Sequence, residues 1–389
     1  MNRFQIIVPV FNEEECLHQV LTYAKESDYL RHLVFVDDAS TDSSLQILQD
    51  WAKNEGIMAI SLNKNQKKEG AIRVALNSLE IEGQLAPYTV LLDSDSLIAK
   101  SDSGELVENM IEKAINHMKL RGVAGMGFQI DAITDDNRSI FSYGAFADYS
   151  AMQFDLWLVG KQRQLWVING PCGIFETKYL LDVLRSIVPD FETGDLLITV
   201  ELMKDKRPIE FYRDITVRTF VPTSVKTYFN QRRRWERGTT KVLWNERKFY
   251  ASLFCRPSLL ALSTLIHLSL YIGIVASLVL FLLCIIKGND YFQMIAVTMF
   301  IWFVVSILKG GWLWYTRHHF SLFRYCLSAV GNGVIWPFVT TPARLTGFVE
   351  AVAQLIKSSN RSVSTCPECV KEYSWLSTSQ NTIQVFEDD

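Results

Sequence analysis

Short apolar runs that end in acidic or turn residues recur through the first half of this chain. Phe4–Val10, Leu33–Val36, Met58–Leu62 and Thr89–Leu92 are such runs, and each has the length of a buried strand. Stretches with helical periodicity separate or follow them. This strand–helix alternation predicts an α/β fold with a mostly parallel sheet that helices cover on both faces. The predicted helices are Glu14–Lys25, Ser43–Asn54, Gly70–Leu79 and Glu105–Lys119.

A second subregion extends from about Gly122 to Trp244. Its apolar runs predict two further strands, and Gly170–Gly173 predicts a tight turn or loop. Because ligands bind beyond the carboxyl ends of the strands in such sheets, we expect the acidic residues that follow the strands to form a site. The predicted strands are Val123–Ile130 and Trp166–Asn169, and the predicted helices are Leu196–Lys204 and Thr227–Leu243.

Lipid-compatible residues dominate the segment 257–315. Residues 259–286 are apolar almost throughout, and at 1.5 Å per residue they form a helix of roughly 40 Å, which is long enough to cross a bilayer. A four-residue polar turn precedes a second apolar segment at about 291–314. The pattern predicts a transmembrane helical hairpin that returns the chain to its starting side.

The segment 320–356 is also apolar, but it contains Pro337, Pro342, Arg344 and Glu350. Proline and charge at this density favour interfacial helices over a third membrane segment. The remaining residues, 357–389, form a polar tail that the same topology places in the cytoplasm. Within the tail, Cys366 and Cys369 form a lone CxxC pair, for which zinc or redox chemistry is the less favoured interpretation.

The overall composition hides this division of the chain. Its 389 residues carry a net charge of −3 and a mean hydropathy of +0.10, yet Lys204–Arg256 contains fourteen Lys and Arg against five Asp and Glu. A basic segment directly before an apolar span indicates positive-inside topology, although a solvated charged face would look similar. Nucleic-acid binding is disfavoured because no recognition motif accompanies the charge. With an N-terminal apolar run too short for a signal peptide and seven scattered cysteines, we expect a multi-pass plasma-membrane protein whose α/β domain lies in the cytoplasm.

The first two strand ends offer groups for a nucleotide. The backbone of Pro9–Glu13 can face a ligand, and Glu13 can accept hydrogen bonds from ribose hydroxyls. Asp38 can accept the imide N–H of uracil. Each position also has a structural interpretation, since Asn12 suits a strand-to-helix turn and Ser40 or Asp42 suits a helix N-cap.

The later motifs carry the chemistry. Asp93 and Asp95 follow a strand at a spacing that lets two carboxylates share Mg²⁺ or Mn²⁺ with substrate phosphates. Lys68 lies at a predicted helix start, which favours phosphate. Asp195 begins a helix, as an N-cap or as a general base that deprotonates an acceptor hydroxyl. In Gln231–Trp235 (QRRRW), Gln231 and Arg234 can clamp a diphosphate and Trp235 can stack on a sugar ring.

Together these motifs resemble the inverting family 2 glycosyltransferases, in particular the membrane-bound branch with the hyaluronan, cellulose and chitin-oligosaccharide synthases. The resemblance implies a GT-A, Rossmann-like domain over residues 1–245, with a nucleotide-binding half at 1–121 and an acceptor half at 122–245. It further implies a UDP-sugar donor, Asp195 as base, Trp235 on the acceptor sugar, and Asp93 and Asp95 on ribose and metal. The candidate donor-binding residues are Pro9, Val10, Phe11, Glu13, Asp38, Lys68, Asp93, Asp95, Gly173, Gln231 and Arg234.

Two departures from the family pattern stand out. The base motif reads Thr-Gly-Asp at 193–195 where many members have Thr-Glu-Asp, so an acidic residue is missing at Gly194. One hairpin of two helices also cannot enclose a path wide enough for a polymer. We therefore expect either export with a partner or as an oligomer, or a product that is not translocated. The leading interpretation is synthesis of a β-linked polysaccharide at the membrane, and the alternatives are sugar transfer to a lipid and a non-enzymatic scaffold or receptor that binds nucleotide-sugars.

Overall fold

A computed structural model provides the structure of this protein. The chain folds into two compact units, one of residues 1–130, 167–219 and 362–389 and one of residues 131–166 and 220–361. The described residues are 3–100, 104–133, 149, 152–187, 192–222, 224–255, 258–265, 304, 339–358, 373–376 and 383–384.

Four parallel strands form the centre of the first unit's sheet, in the order β3–β2–β1–β4. Nearly all their side chains are buried, as expected for strands covered on both faces. The intervening helices are those that the sequence predicted, with α3 starting three residues earlier. The elements are β1 (Phe4–Val10), α1 (Glu14–Glu26), β2 (Leu33–Asp37), α2 (Ser44–Glu55), β3 (Met58–Leu62), α3 (Lys67–Ile81) and β4 (Tyr88–Leu92).

Beyond β4 the sheet becomes antiparallel, so the prediction of a mostly parallel sheet is wrong and the sheet is mixed. Strand β7 pairs antiparallel with β4 and with β6, and β8 pairs antiparallel with β5. Periodicity did not detect this change because a buried strand has the same apolar run in either direction. The elements are β5 (Ser96–Ile98), α4 (Val107–Arg121), β6 (Gly125–Ile133), β7 (Cys172–Glu176) and β8 (Ile209–Phe220).

Two short strands from the polar tail complete the sheet at its other edge. Strand β9 (Tyr373–Leu376) pairs antiparallel with β3, and β10 (Ile383–Gln384) pairs with β9. The sequence predicted no regular structure here. Cys366 and Cys369 lie outside the described residues, so their chemistry stays a prediction.

The predicted strand Trp166–Asn169 is absent, and the chain there is irregular. Two side-chain hydrogen bonds anchor it instead: the Ile168 backbone amide donates to Thr199 Oγ1 at 2.8 Å, and the Asn169 side-chain amide donates to the Phe128 carbonyl oxygen at 3.0 Å. The strand begins later, at Cys172. The predicted turn at Gly170–Gly173 therefore covers only its first two residues, and Gly173 belongs to β7.

Two more helices belong to the first unit, α5 (Thr177–Ser186) and α6 (Gly194–Lys204). The second unit contains α7 (Val225–Asn245), α8 (Arg247–Leu253) and α9 (Thr341–Ser358).

Helix α9 packs against α7 through ion pairs. Glu350 accepts from Arg237 at 2.7 Å, and Arg344 lies 3.9 Å from Glu236. Charges that argued against a membrane span in 320–356 thus have partners on α7. The closeness of the two helices depends on Gly347, because a β-carbon there would overlap the backbone carbonyl oxygen of Arg233.

Within the described residues, no helix has both the length and the apolarity needed to cross a membrane. Most of the predicted hairpin at 259–286 and 291–314 lies outside those residues. It therefore stays a prediction.

Candidate active site

Strand pairing brings the acidic loop after β4 against the turn before β7. The Asp93 amide donates to the Pro171 carbonyl oxygen at 3.0 Å, and the Ser96 amide donates back to the Asp93 carbonyl oxygen at 3.0 Å. These bonds fix the backbone of the 93–95 motif between β4 and β5. Asp93 and Asp95 are both half-buried, so their carboxylates remain accessible in part.

Lys68 links three parts of this site. Its ammonium forms an ion pair with Asp93 and donates to the Gly170 carbonyl oxygen at 3.0 Å. Burial lowers the pKa of Lys68, but the carboxylates of Asp93 and Asp195 outweigh it and raise this pKa to about 12. A permanently charged ammonium therefore lies among the acids, in the first turn of α3.

Asp195 occupies the first turn of α6, where the positive end of the helix dipole favours a carboxylate. The helix N-cap position is Thr193, so Asp195 is not the cap residue. Its carboxylate lies against Gly170: a β-carbon at that glycine would be 2.8 Å from Asp195 Oδ2. Burial raises the pKa of Asp195, although Lys68 lowers it. Because its pKa is raised on balance, this carboxylate is a stronger base than a solvated one, as the proposed general base requires.

Asp95 carries charge that its neighbours do not neutralise. Burial, helped by the nearby Asp93 and Glu13 carboxylates, raises its pKa to about 7, although Ser96 donates a hydrogen bond to it at 3.1 Å. Burial also raises the pKa of Glu13, whose carboxylate accepts from the Cys16 thiol at 3.2 Å. Three acids crowded in this way would gain from a divalent cation.

The described residues contain no group of three or more His, Cys, Asp or Glu that could hold a metal ion by themselves. Asp93 and Asp95 supply two carboxylates, and one Asp93 oxygen already accepts from Lys68. Mg²⁺ and Mn²⁺ suit such a sparse set because phosphate oxygens and water complete their coordination. The residues therefore fit a metal that binds together with a diphosphate.

Asp38 is buried at the end of β2. Its carboxylate accepts a hydrogen bond at 2.6 Å from the backbone amide of Gln66, the N-cap residue of α3. Burial raises its pKa to about 6. Its own amide donates to the Val10 carbonyl oxygen at 2.8 Å, which brings the ends of β1 and β2 together. Pro9 and Val10 end β1, and Phe11 beyond them is exposed.

Two of the structural interpretations concern Asp42 and Ser40. Asp42 accepts the Ser44 backbone amide at 3.0 Å and so bonds the first residue of α2, but the N-cap position of that helix is Ser43. Ser40 has another role, because its hydroxyl accepts a hydrogen bond from the Asn12 backbone amide at 3.1 Å. Gly173 packs inside β7, where a β-carbon would lie 2.5 Å from Ile168 Cγ2. That side of Gly173 faces protein.

Gln231, Arg234 and Trp235 lie on α7 in the second unit. Trp235 packs edge-to-face with Tyr149, with ring centroids 6.1 Å apart, and the guanidinium of Arg232 lies 4.3 Å from the Trp235 ring. Arg232 is buried and Arg234 is exposed. The roles of Gln231, Arg234 and Trp235 toward donor and acceptor stay predictions.

Glu69 is a member of the site that the sequence reasoning missed. It is 5% exposed in the first turn of α3, and burial raises its pKa to about 7. It interacts electrostatically with Lys68, Asp195 and Asp93. An acid between Lys68 and the buried Gly70 was the available signal, but helix periodicity alone does not distinguish a buried first turn from an exposed one.

Comparisons with known proteins are consistent with these motifs. Residues 5–155 match the domain described as Glycosyl transferase family 2, and residues 88–349 match Glycosyl transferase family group 2. Among solved structures, the match to TarS of S. aureus covers 60% of this chain and 38% of the TarS chain, at 20% identity and a TM-score of 0.38. GalNAc-T7 with UDP, GalNAc and Mn²⁺ covers 64% of this chain and 49% of its own at 13% identity and a TM-score of 0.41.

Several curated relatives match parts of the chain. Undecaprenyl-phosphate 4-deoxy-4-formamido-L-arabinose transferase of Proteus mirabilis (strain HI4320) is 34% identical over 101 residues, which are 24% of this chain and 29% of that protein. Poly-beta-1,6-N-acetyl-D-glucosamine synthase of Staphylococcus epidermidis (strain RP62A) is 22% identical over 242 residues, 61% of this chain and 54% of that protein. Poly(ribitol-phosphate) beta-N-acetylglucosaminyltransferase TarS of Staphylococcus aureus (strain Mu50) is 29% identical over 134 residues, 33% of this chain and 22% of that protein.

The matched segments span about half the length of these relatives or less. The family match is broader, since the group 2 domain alone covers residues 88–349, more than half of the chain. The chain belongs to glycosyltransferase family 2.

Proposed function

We propose that this chain transfers a sugar from a UDP-sugar to a hydroxyl of a growing β-linked polysaccharide. The observation that carries the proposal is the grouping of Asp93, Lys68 and Asp195 beyond the carboxyl end of β4. Lys68 is paired to Asp93 and electrostatically coupled to Asp195. Family membership supports the reaction class. The polymer product rests on similarity to a poly-beta-1,6-N-acetyl-D-glucosamine synthase over 61% of the chain.

In this proposal Asp195 is the general base. It accepts the proton of the acceptor hydroxyl while that oxygen attacks the anomeric carbon of the donor. The bond between the anomeric carbon and the diphosphate oxygen breaks, UDP leaves with the electron pair, and the single displacement inverts the carbon. Burial favours this role because it raises the pKa of Asp195.

The other residues hold the donor. Asp38 accepts a hydrogen bond from the uracil of the donor, and Glu13 accepts one from the ribose. Lys68 contributes positive charge toward the diphosphate. Asp95 and Asp93 would hold Mg²⁺ or Mn²⁺, which when bound neutralises charge on the diphosphate. Gln231, Arg234 and Trp235 would complete the diphosphate and acceptor contacts.

A lipid-linked acceptor is the second candidate. The observation that favours it is the 34% identity to an undecaprenyl-phosphate sugar transferase, which is confined to 101 residues. The match to poly-beta-1,6-N-acetyl-D-glucosamine synthase extends over 242 residues, so the polymer is the first choice.

Membrane anchoring is part of the proposal. It rests on the apolar segments at 259–286 and 291–314 and on the basic segment that precedes them. The catalytic unit would then work at the cytoplasmic face of the plasma membrane. Recovery of the full chain in the soluble fraction after cell lysis, without detergent, would argue against anchoring.

The deciding experiment measures UDP release by the full chain over a panel of UDP-sugars with Mg²⁺ or Mn²⁺, followed by sizing of the product. We expect one donor to stand out, metal to be required, and the product to be a polymer. A single-sugar lipid product would favour the second candidate. No release from any UDP-sugar would contradict the proposal.

A further inference from the structure

Gly194 directly precedes Asp195 at the start of α6, and its backbone conformation does not explain why it is glycine. Among the described residues, the glycines with positive φ are Gly56, Gly83, Gly104 and Gly122, and Gly194 is not among them. An L-amino acid could adopt its backbone angles. A β-carbon at position 194 would overlap the Oε1 and Cδ atoms of Glu69, so the carboxylate end of Glu69 would have to move to admit a side chain.

The carboxylate of Glu69 therefore occupies the volume that a side chain at position 194 would fill. Glu69 reaches this place from α3, which lies more than a hundred residues earlier in the chain. An acid that α3 supplies is thus present beside Asp195.

The environment of Glu69 indicates a role beyond packing. A carboxylate that is 5% exposed is costly to keep, and an amide or apolar side chain of similar volume would avoid that cost. Its electrostatic partners are the residues that group beyond the carboxyl end of β4: Lys68, Asp195 and Asp93. Buried acids with such neighbours cluster at functional sites.

We propose that Glu69 is a positioning residue of the transfer reaction, and that its carboxylate orients Lys68 and Asp195 from the space above Gly194. This inference rests on the proposed function. It makes Glu69 and position 194 interchangeable sources of one negative charge. The charge can be removed from α3 and restored on α6 without adding volume overall.

The test uses four variants of the full chain: Glu69→Gln, Glu69→Ala, Glu69→Ala/Gly194→Asp and Glu69→Ala/Gly194→Asn. Asp suits position 194 because its carboxyl carbon is bonded directly to the β-carbon, close to where the Glu69 carboxylate lies. Steady-state rates are measured at pH 8, above the pKa of about 7 that burial gives Glu69, with the donor that the UDP-release panel identifies. Glu80→Gln is the matched control, since Glu80 lies on the same helix and pairs with Arg185 at the surface.

We expect Glu69→Gln and Glu69→Ala to lower kcat by about tenfold to a hundredfold while the donor KM stays within about threefold, as for a lost orienting contact. Glu69→Ala/Gly194→Asp should recover at least about tenfold of that loss, whereas the uncharged Asn partner should not. Glu80→Gln should match the parent.

Two results would overturn the inference: parental kcat in Glu69→Gln, or equal rates in the Asp and Asn double variants when both melt at the same temperature. A purely structural role would make recovery follow melting temperature and not charge. If the parent chain releases UDP and only the charge dependence is missing, the positioning role fails and the proposed function stands. If the parent releases no UDP, the proposed function itself fails.

Discussion

The ammonium of Lys68 forms an ion pair with Asp93 and also donates to the carbonyl oxygen of Gly170 at 3.0 Å. This one side chain joins the start of α3, the loop after β4 and the turn before β7. The pair also determines the local charge balance, because Lys68 lowers the pKa of Asp195 while burial raises it. A change at Lys68 should therefore affect both the donor site and the proposed base.

Replacing Lys68 with Ala removes the positive charge from the site. We expect kcat/KM for the UDP-sugar to fall by about a hundredfold, because a charge-assisted contact to the diphosphate is lost. The pKa of Asp195 should rise, so the acidic limb of the kcat profile should move to higher pH. Rate measurements between pH 5 and pH 9 test both. Lys67→Ala is the control, because Lys67 is the exposed neighbour; equal effects of the two variants would contradict a specific role for Lys68.

Asp195→Asn should abolish transfer and leave donor binding intact. The amide has nearly the same shape but cannot accept the acceptor proton, so kcat should fall by several orders of magnitude. UDP affinity, measured by calorimetry with Mn²⁺, should change by less than about threefold. Asp205→Asn, at the exposed C-terminal end of the same helix, should behave like the parent. A near-parental rate in Asp195→Asn would show that the base lies elsewhere.

Stability without ligand should fall as pH rises from about 4.5 to 7. Burial raises the pKa of Glu69 from 4.5 to about 7, so in this interval the folded state binds a proton that the unfolded state has lost. The folded state is therefore favoured below pH 4.5, and this contribution disappears as pH passes 7. The shift corresponds to up to about 3 kcal/mol. Urea unfolding at pH 5 and pH 8 measures it. Glu69→Gln should reduce the dependence without removing it, because burial also raises the pKa of Asp95 to about 7 and that of Asp38 to about 6, and an unchanged slope would contradict the assignment.

Gly347→Ala should weaken the packing of α9 on α7. A β-carbon there overlaps the carbonyl oxygen of Arg233, so the helices must separate or the side chain must strain, at about 1–3 kcal/mol. Thermal melting of the purified chain measures the loss. Ala353→Ser on the same helix is a change of similar size at an exposed position. Equal melting temperatures for the two variants would mean that α9 does not depend on Gly347.

Local sequence predicted the elements well where strands and helices alternate. Phe4–Val10 and Met58–Leu62 have the predicted bounds, since a buried parallel strand leaves an uninterrupted apolar run. One error came where side chains take the place of strand pairing. Trp166–Asn169 has a strand-like composition, but Thr199 accepts the Ile168 backbone amide and the Asn169 side chain donates to the Phe128 carbonyl oxygen, and no local pattern reveals partners so distant.

The candidate site shows the same division. The sequence identified Lys68, Asp93 and Asp195 individually, because strand ends and helix starts can be predicted from local patterns. Their mutual contacts were not, and Glu69 was missed because its burial depends on α6, which follows much later in the chain.

The sequence by itself determined the alternation of elements, the family motifs and the kinds of groups that those motifs present. Tertiary structure decided that the sheet is mixed, that Lys68 pairs with Asp93, and that Glu69 fills the space beside Gly194. The physical reason is range: hydrophobic periodicity and helix starts are set by residues a few positions apart, whereas Lys68 and Gly170 are separated by 102 positions. Only the order in which the strands pair brings such residues within hydrogen-bonding distance.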